Sequence, residues 1–351
     1  MKRSLTAGLL AALLLIQPAA AAAAPAQTPF VAFHVPWDPQ STASLARHAD
    51  QIDILAPLWI TLRGPEAEVV FEPDPKGMAL LATRKGSPAV YPVVSNAHDD
   101  VWDAASAQAA ILDSSTRAKV LARLADLART RRLSGFIFDF ENLTPAAVAG
   151  FPTFLAAAKS ALAPAGVEVW STVSPGPDQP LQTLAAAGDA VVLMAYDACW
   201  ATSTPGPIAG EDWLEATLAR RLEGVDPRRV VIALGSYGYD WPEGGPASPI
   251  GSDAAIKLAG RFGSKVTRDP VSRNPNFSYT DAKGRRHVVW YVDAGAFALG
   301  RGAATAFHPR ATALWRLGLE DPALWTTPLQ TSSRRAAGGP LPHPCDPLPP
   351  R

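Results

Sequence analysis

Two acidic residues stand one residue apart in an otherwise apolar segment, GFIFDFENL, at residues 135–143. In an extended strand, side chains at i and i+2 point to the same side, so Asp139 and Glu141 face together with Cα atoms about 6.6 Å apart. Two carboxylates this close in apolar surroundings resist double ionisation, and one should hold a proton near neutral pH. Because a general acid must stay protonated, the pair predicts acid–base chemistry.

Other polar and aromatic residues stand near the ends of further strand-like segments. AVYPVVS is followed by Asn96, AVVLMAYD ends with Met194, Tyr196 and Asp197, and ATALWRL contains Trp315. Individually, the aromatic residues fit a core and Asn96 fits a turn. Together they predict a polar cup with an aromatic floor, which suits a sugar ring.

Eight apolar or β-branched segments predict the strands that would position these residues: 30–35, 52–60, 89–95, 135–140, 167–174, 190–196, 230–236 and 311–317. Segments apolar on both faces are typical of parallel strands covered by helices. Helical patterns lie between them and predict a (β/α)8 barrel, with a doubly wound open sheet as the alternative. In a barrel, the acid pair would lie at the C-terminal end of strand 4, where barrel enzymes keep their active sites.

Helix signals support this alternation. Ser115 is the predicted cap of a helix with an apolar stripe, and Thr144 before Pro145 predicts a helix just after the acid pair. A third helix is predicted over residues 211–223, ending at Gly224.

The connection between the seventh and eighth strands, residues 241–310, is far longer than the usual handful of residues. It contains FSYTDAKGRRHVVWYV, which predicts a hairpin with its turn at residues 281–284. We therefore expect a small α+β insertion within a barrel domain that covers residues 25–330. The Pro- and Gly-rich tail, residues 331–351, is predicted to be disordered.

The chain has 351 residues with 32 basic and 32 acidic side chains, a balance that argues against nucleic acid or an anionic membrane surface as partner. Residues 1–24 combine a basic start, a short apolar core and small residues, which predicts a signal peptide and a secreted or periplasmic protein. No other segment is expected to span a membrane. Whether Cys199 and Cys345 pair stays open, and two cysteines make no zinc site.

GFIFDFENL resembles the D-x-x-D-x-D-x-E strand of family 18 glycoside hydrolases, the chitinase-like family, with Asp139 and Glu141 matching its last two acids. MAYD resembles the sixth-strand M-x-Y-D motif of this family, and Trp315 matches the tryptophan that closes the sugar site. The similarity covers roughly residues 30–325, including the long insertion. VLMAYDACW and ALWRLGLEDPALW resemble bacterial members found with polysaccharide deacetylase or glycosyltransferase modules.

The chain departs from the family motif at two earlier positions, where Ser134 and Ile137 replace aspartates. In the family, the aspartate at the Ile137 position helps Asp139 share its proton. An isoleucine removes that partner and should desolvate Asp139 further, so we expect slow, pH-shifted or absent activity.

The resemblance implies a substrate-assisted retaining cleavage of β-linked N-acetylhexosamine polymers, without a metal or organic cofactor. Its implied catalytic residues are Glu141 as acid and base, Asp139 and Tyr196. The implied substrate-binding residues are Asp197, Trp315, Met194 and Asn96, of which Asp197 and Asn96 would hold sugar hydroxyls or the acid pair. The glycan could be chitin, poly-N-acetylglucosamine or peptidoglycan.

Two other functions remain open at this point. One is a carbohydrate-binding barrel of the same family that Ile137 has silenced. The other is a metal-dependent barrel enzyme that uses the acid pair with His34 or His98.

Overall fold

A computed structural model describes residues 28–83, 86–99, 101–176, 180–330 and Cys345. The predicted signal peptide and the predicted disordered tail, apart from Cys345, lie outside the described residues. The strands are β1 (Phe30–His34), β2 (Ile54–Pro57), β3 (Ile60–Arg63), β4 (Glu68–Phe71), β5 (Ala89–Val90), β6 (Val93–Ser95), β7 (Ala97–His98), β8 (Val101–Trp102), β9 (Gly135–Asp139), β10 (Glu168–Val173), β11 (Ala190–Met194), β12 (Val230–Gly235), β13 (Tyr237–Pro242), β14 (Ser248–Gly251), β15 (Thr267–Arg268), β16 (Pro275–Thr280), β17 (Arg286–Tyr291) and β18 (Ala311–Trp315).

The largest sheet has the order β4-β3-β6-β9-β10-β11-β12-β18-β1-β2-β5, and all of its pairings are parallel except β3 with β4. β2 and β3 are two pieces of the predicted second strand, and β5 and β6 are two pieces of the third. Because β2 pairs with β5 and β3 with β6, the two ends of the order meet and the sheet closes. The predicted barrel class is confirmed.

Proline explains why these two strands break. Pro57 ends β2, and Pro92 lies between β5 and β6. A proline has no N–H to donate to a neighbouring strand, so the hydrogen-bond ladder is interrupted there. The predicted continuous strands 52–60 and 89–95 were wrong in this detail.

Helices pack around the barrel: α1 (Pro39–His48), α2 (Pro75–Thr83), α3 (Ala104–Leu112), α4 (Ser114–Arg131), α5 (Pro145–Leu162), α6 (Leu181–Ala187), α7 (Glu211–Arg221) and α9 (Ala294–Thr305), whereas α8 (Ser252–Arg261) packs on the insertion. The predicted cap Ser115 was wrong. Asp113 caps α4, because its carboxylate accepts the Thr116 N–H at 2.6 Å. The Thr144 cap of α5 is confirmed, and its hydroxyl accepts the Ala147 N–H at 3.3 Å.

Within the described part of the chain, one helical segment, Pro145–Ala165, is long and apolar enough to span a membrane by length and composition, which the sequence analysis did not expect. The α5 part of this segment buries one face, formed by Ala147, Phe151, Phe154, Leu155, Ala158 and Leu162. A core helix of a soluble protein passes the same test, so the property is weak evidence for a membrane span.

The long connection folds into a second sheet, antiparallel, with the order β14-β13-β17-β16-β15. Its own small core comprises Ala255, Ala259, Phe277, Val289 and Tyr291. The predicted hairpin is present as β16 and β17, and Gly284 adopts φ +79° in its turn. The α+β insertion between the seventh and eighth barrel strands is therefore confirmed, and its sheet runs from Tyr237 to Tyr291.

Candidate active site

A pocket of about 460 Å³ opens at the C-terminal ends of the barrel strands. It is lined by six of the seven residues that the sequence analysis singled out: Asp139, Glu141, Met194, Tyr196, Asp197 and Trp315. These residues come from the ends of β9, β11 and β18, or follow them directly. The convergence of parallel strand ends brings them together from distant parts of the chain.

Asp139 is the last residue of β9 and is buried. Its Oδ1 accepts a hydrogen bond from the Thr172 hydroxyl on the neighbouring strand β10 at 2.7 Å. The sequence analysis missed Thr172, although the alternation in VEVWSTVS puts Trp170 and Thr172 on the same side of β10. Ile137 is fully buried and has no polar side-chain atom, so Asp139 receives a hydrogen bond from Thr172 and none from the side chain at position 137.

Asn96 is not among the residues that line the pocket, and of its two predicted roles the structure shows the hold on the acid pair and not a contact with a sugar hydroxyl. The side chain is fully buried, and both polar atoms of its amide form hydrogen bonds with the backbone of Glu141. Its Oδ1 accepts the Glu141 N–H at 3.0 Å, and its Nδ2 donates to the Glu141 carbonyl at 3.0 Å. Glu141 follows the end of β9, where no strand pairing holds it, so the Asn96 amide fixes the acid instead.

Asp197 follows β11 with φ +57°, a left-handed conformation that aspartate tolerates better than most residues. Its Oδ1 accepts hydrogen bonds from the Tyr237 hydroxyl and, at 3.3 Å, from the Tyr239 hydroxyl. Both tyrosines lie on β13 of the insertion, which thereby contacts the active site. The i, i+2 spacing in SYGYD was a signal that the sequence analysis did not use.

The three carboxyl groups have raised pKa values. Burial, and then the charges of Asp139 and Asp197, raises the pKa of Glu141 to about 7. Burial raises the pKa of Asp197 to about 6, although the hydrogen bonds from Tyr237 and Tyr239 lower it in part. Burial also raises the pKa of Asp139. Glu141 therefore carries a proton that it can donate near neutral pH.

Tyr196 is buried, and desolvation and then the charge of Asp139 raise the pKa of its hydroxyl well above the usual value. The hydroxyl stays protonated and can donate a hydrogen bond to a ligand. None of the described residues that line the pocket is Lys, Arg or His. The pocket thus offers acids and hydroxyls to a ligand.

Aromatic rings form much of the pocket wall. The ring of Trp315 lies nearly parallel to that of Tyr196, with centroids 6.2 Å apart, and meets Phe33 edge-on at 5.2 Å. Trp102 and Trp200 also line the pocket. The sequence analysis missed both: Trp102 lies in the two-residue strand β8, which is too short for a periodic signal, and Trp200 lies in the connection after β11.

The histidines of the metal-dependent alternative do not share this pocket. His34 is fully buried, and its ring contacts the Ser41 hydroxyl at 2.8 Å and the Asp74 carboxylate at 3.3 Å. His98 lies 3.7 Å from Asp103. Within residues 28–330, as far as they are described, no cluster of three or more metal-ligating side chains occurs.

Cys199 and Cys345 form a disulfide bond, which answers the question that the sequence left open. Cys199 lies between Asp197 and Trp200, so the bond ties Cys345 to the pocket rim. A side chain at Gly206 would lie 2.4 Å from the Cys199 Sγ, so only glycine fits against the bond.

The chain is similar in structure to chitinases and spore cortex-lytic enzymes. It shares 27% identity and a TM-score of 0.78 with a chitinase from Chromobacterium violaceum ATCC 12472, over 86% of this chain and 97% of that one. The cortex-lytic enzyme SleL of Bacillus cereus has a TM-score of 0.74 over 85% of this chain and 73% of its own, at 20% identity. At that identity, the second likeness shows the fold alone.

The sequence is also similar to named bacterial proteins, although no family model matches it. The cortical fragment-lytic enzyme of Bacillus subtilis (strain 168) is 25% identical over 248 residues, which are 66% of this chain. The chain spans only 58% of that relative's length. Together, these similarities confirm the resemblance seen in the sequence: the chain is similar to chitinase-like glycosidases in both sequence and fold.

Proposed function

We propose that the protein is a glycoside hydrolase that cleaves β-linked N-acetylhexosamine polymers by a substrate-assisted retaining mechanism. The observation that carries this proposal is the position of Glu141 beside Asp139 in an aromatic pocket, where burial raises the Glu141 pKa to about 7. Aromatic walls with a few convergent polar groups are typical of sugar sites.

The arrangement of the acids favours assistance by the substrate. Asp139 and Glu141 leave the same strand end, so they lie side by side and do not face each other across a sugar ring. Most retaining glycosidases need a second carboxylate as nucleophile about 5 Å from the acid, across the bond, and chitinase-like enzymes are an exception that uses a group of the substrate.

In the proposed first step, Glu141 gives its proton to the glycosidic oxygen as the bond to the anomeric carbon breaks. The carbonyl oxygen of the 2-acetamido group attacks that carbon and forms an oxazolinium ion. Asp139 accepts the acetamido N–H and stabilises the positive charge, and the Tyr196 hydroxyl donates to the acetamido oxygen. Trp315 stacks under the ring, with Met194 and Asp197 beside it.

In the second step, water attacks the anomeric carbon and Glu141 takes its proton. The acetamido group is restored and the sugar leaves with retained configuration. Asn96 and Thr172 act on the acids and not on the sugar, because they hold the Glu141 backbone and the Asp139 carboxylate.

The substrate would be a polysaccharide outside the cytoplasm. Relatives are named as chitinases and as enzymes lytic for spore cortex, which supports chitin-like polymers, poly-N-acetylglucosamine or peptidoglycan. Export is proposed from the signal-like residues 1–24 alone.

A second candidate is a carbohydrate-binding barrel without activity, and Ile137 is the observation that favours it. Isoleucine cannot share a proton with Asp139, as the family aspartate at this position would. The hydrogen bond from Thr172 to Asp139 favours the enzyme instead, because it supplies a partner for this carboxyl.

Two substrates that differ only at carbon 2 test the proposal. We would compare the hydrolysis of aryl β-glycosides that carry a 2-acetamido or a 2-hydroxyl group, with the same leaving group. Because the nucleophile belongs to the acetamido group, only the first should be cleaved. Equal rates on both substrates would contradict substrate assistance, and cleavage of neither, with sugar binding retained, would favour the silenced barrel.

A further inference from the structure

A second cavity, the insertion groove, lies outside the candidate active site. It encloses about 340 Å³ between the last residues of β13, the first residues of β17 and the connection after β11. Its apolar walls are formed by Pro205, Trp241, Pro242 and Val288. None of these four residues lines the pocket that holds the acid pair, so the insertion groove is a separate site.

A row of aromatic rings joins the insertion groove to the candidate active site. Tyr237, Tyr239 and Trp241 occupy alternate positions of β13 and therefore point to the same side of this strand. The Tyr239 ring meets the Trp241 ring with centroids 5.3 Å apart, and the Tyr239 hydroxyl donates to Asp197 at 3.3 Å. The groove thus begins about 7 Å along β13 from the residue that contacts Asp197, the length of two extended residues.

The insertion groove also carries one charge of each sign. Glu243 and Arg286 both line it and are both exposed, and the Glu243 N–H donates to the Arg286 carbonyl at 2.8 Å, so the two residues are neighbours. Among the described residues, neither side chain has an ion-pair partner. Unpaired charges of opposite sign in one groove are complementary to a ligand that carries both a carboxylate and an ammonium group.

Trp241 adds an unused hydrogen-bond donor to the wall. Only 2% of its surface is exposed, and its Nε1 has no hydrogen-bond partner among the described residues. A buried donor without an acceptor is costly, and a peptide carbonyl is a suitable acceptor for it. Grooves walled by tryptophan and proline rings also suit extended peptides. Apolar walls, a donor and two opposite charges together fit a short charged peptide.

We propose that the insertion groove binds a short peptide that is attached to the glycan and carries both a carboxylate and an ammonium group. Arg286 would bind the carboxylate and Glu243 the ammonium group, while the apolar walls cover alkyl side chains. This inference rests on the proposed function. Of the three glycans considered there, only peptidoglycan carries peptides, so the groove would select peptide-bearing strands from among N-acetylhexosamine polymers.

Binding calorimetry with two tetrasaccharides tests the proposal. Both would alternate N-acetylglucosamine and N-acetylmuramic acid, one with its peptides and one with each peptide replaced by a simple amide. The parent would be Glu141→Gln, to prevent cleavage, and Arg286→Gln, Glu243→Gln and Lys283→Gln would be added to it in turn. Lys283 is the matched control, because it is an exposed cation in the turn of the same hairpin and does not line the groove.

We expect the parent to bind the peptide-bearing tetrasaccharide more tightly than the amide. Arg286→Gln and Glu243→Gln should each weaken this binding by about 2- to 5-fold, the range of one exposed ion pair, and leave binding of the amide unchanged. Lys283→Gln should match the parent for both ligands. The separation of the two ligands is a readout that a merely structural residue would not give.

Two results would overturn this inference alone: equal affinities of the parent for the two ligands, or an equal loss for both ligands in Arg286→Gln. Failure of the parent to bind either ligand would also overturn it. If wild type then cleaves no N-acetylglucosamine oligomer, the proposed function fails as well.

Discussion

At the residue scale, the environment of Glu141 lets it act as a general acid near neutral pH, which a glutamate in water would not do. Desolvation raises its pKa most, and the charges of Asp139 and Asp197 add to this effect. Raising a carboxyl pKa to about 7 extends the protonated form from acidic to neutral pH. Activity that needs the protonated acid should therefore fall as the pH rises through about 7.

The charge of Asp197 provides a test of this cause. Asp197→Asn removes one of the two charges that raise the Glu141 pKa, so this pKa should drop. We expect the basic limb of the kcat/KM profile to move to lower pH, and a pH–rate series would measure it. Asp253→Asn, at an exposed position in the first turn of α8, should not move the limb. An unchanged or raised midpoint in Asp197→Asn would contradict the assignment.

Asn96 should act on the rate through the position of Glu141. Asn96→Ala leaves the Glu141 N–H and carbonyl without their partner, and small misplacements of a catalytic group cost up to about 100-fold in rate. We expect kcat to fall about 10- to 100-fold with a smaller change in KM, measured by steady-state kinetics.

A second buried asparagine serves as the control for Asn96. Asn274 is 1% exposed and donates to the Ala209 carbonyl, far along the chain from the acid pair. Asn274→Ala should lower the free energy of unfolding by about 1–3 kcal/mol, as Asn96→Ala should, without the loss in kcat. Similar kcat values for both variants would reduce Asn96 to a structural role.

Residue-level prediction from the sequence succeeded where strand ends decide position. Asp139, Glu141 and Tyr196 lie in one pocket because parallel strand ends converge. For Asn96 it left the choice between a sugar hydroxyl and the acid pair open, because the sequence places this residue at a strand end without giving the direction of its side chain. Trp102 and Trp200 could not be predicted, since β8 is too short for a periodic signal and the path of the connection after β11 depends on tertiary contacts.

At the element scale, the connection after β11 carries both pocket residues and one cysteine of the disulfide bond. It carries Asp197 and Trp200, and its two sides pair where the Ala198 N–H donates to the Ile208 carbonyl at 2.8 Å. Cys199 lies within this connection and is bonded to Cys345 across 146 residues of sequence. The bond should therefore hold a wall of the pocket in place.

Replacing both cysteines tests the role of the bond. Cys199→Ser with Cys345→Ser should lower the free energy of unfolding by about 2–5 kcal/mol, the usual effect of losing a native disulfide. KM should rise more than kcat falls, because Trp200 loosens while the acid pair stays on β9. Thermal unfolding and kinetics, each with and without reductant, would measure this, and reductant should affect only the wild type. A wild-type protein indifferent to reductant would contradict the prediction.

Element prediction was accurate for strands with uninterrupted ladders and less so where proline intervenes. The β/α alternation and the insertion hairpin followed from apolar runs and one turn signal. The breaks at Pro57 and Pro92 were overlooked, although each proline removes a ladder donor. The order of strands within the insertion depends on long-range pairing, which no local pattern contains.

At the scale of the whole molecule, ionising the buried carboxyl groups of the active site lowers the free energy of unfolding. A folded-state pKa above the unfolded value means that the folded protein binds its proton more tightly, so this contribution to stability is full below about pH 4 and is lost as the pH rises through about 7. The active site should therefore destabilise the fold most in alkaline solution.

Glu141→Gln removes one of these ionisations without changing the shape of the side chain. We expect the variant to unfold at a higher temperature than wild type at pH 8, by an amount equivalent to about 1–3 kcal/mol, and to match wild type at pH 4. Thermal melts across this pH range would show the difference. A gain that is equal at both pH values would exclude ionisation as its cause.

The most direct measurement is mass spectrometry of N-acetylglucosamine oligomers, in the chitin and the poly-N-acetylglucosamine linkages, after incubation with wild type and Glu141→Gln. Our account predicts shorter oligomers with wild type, and a rate lower by several orders of magnitude with the variant. The product lengths would give the linkage and the mode of cleavage. Equal cleavage by both proteins would contradict Glu141 as the acid, and intact oligomers that still bind to both would contradict the enzyme.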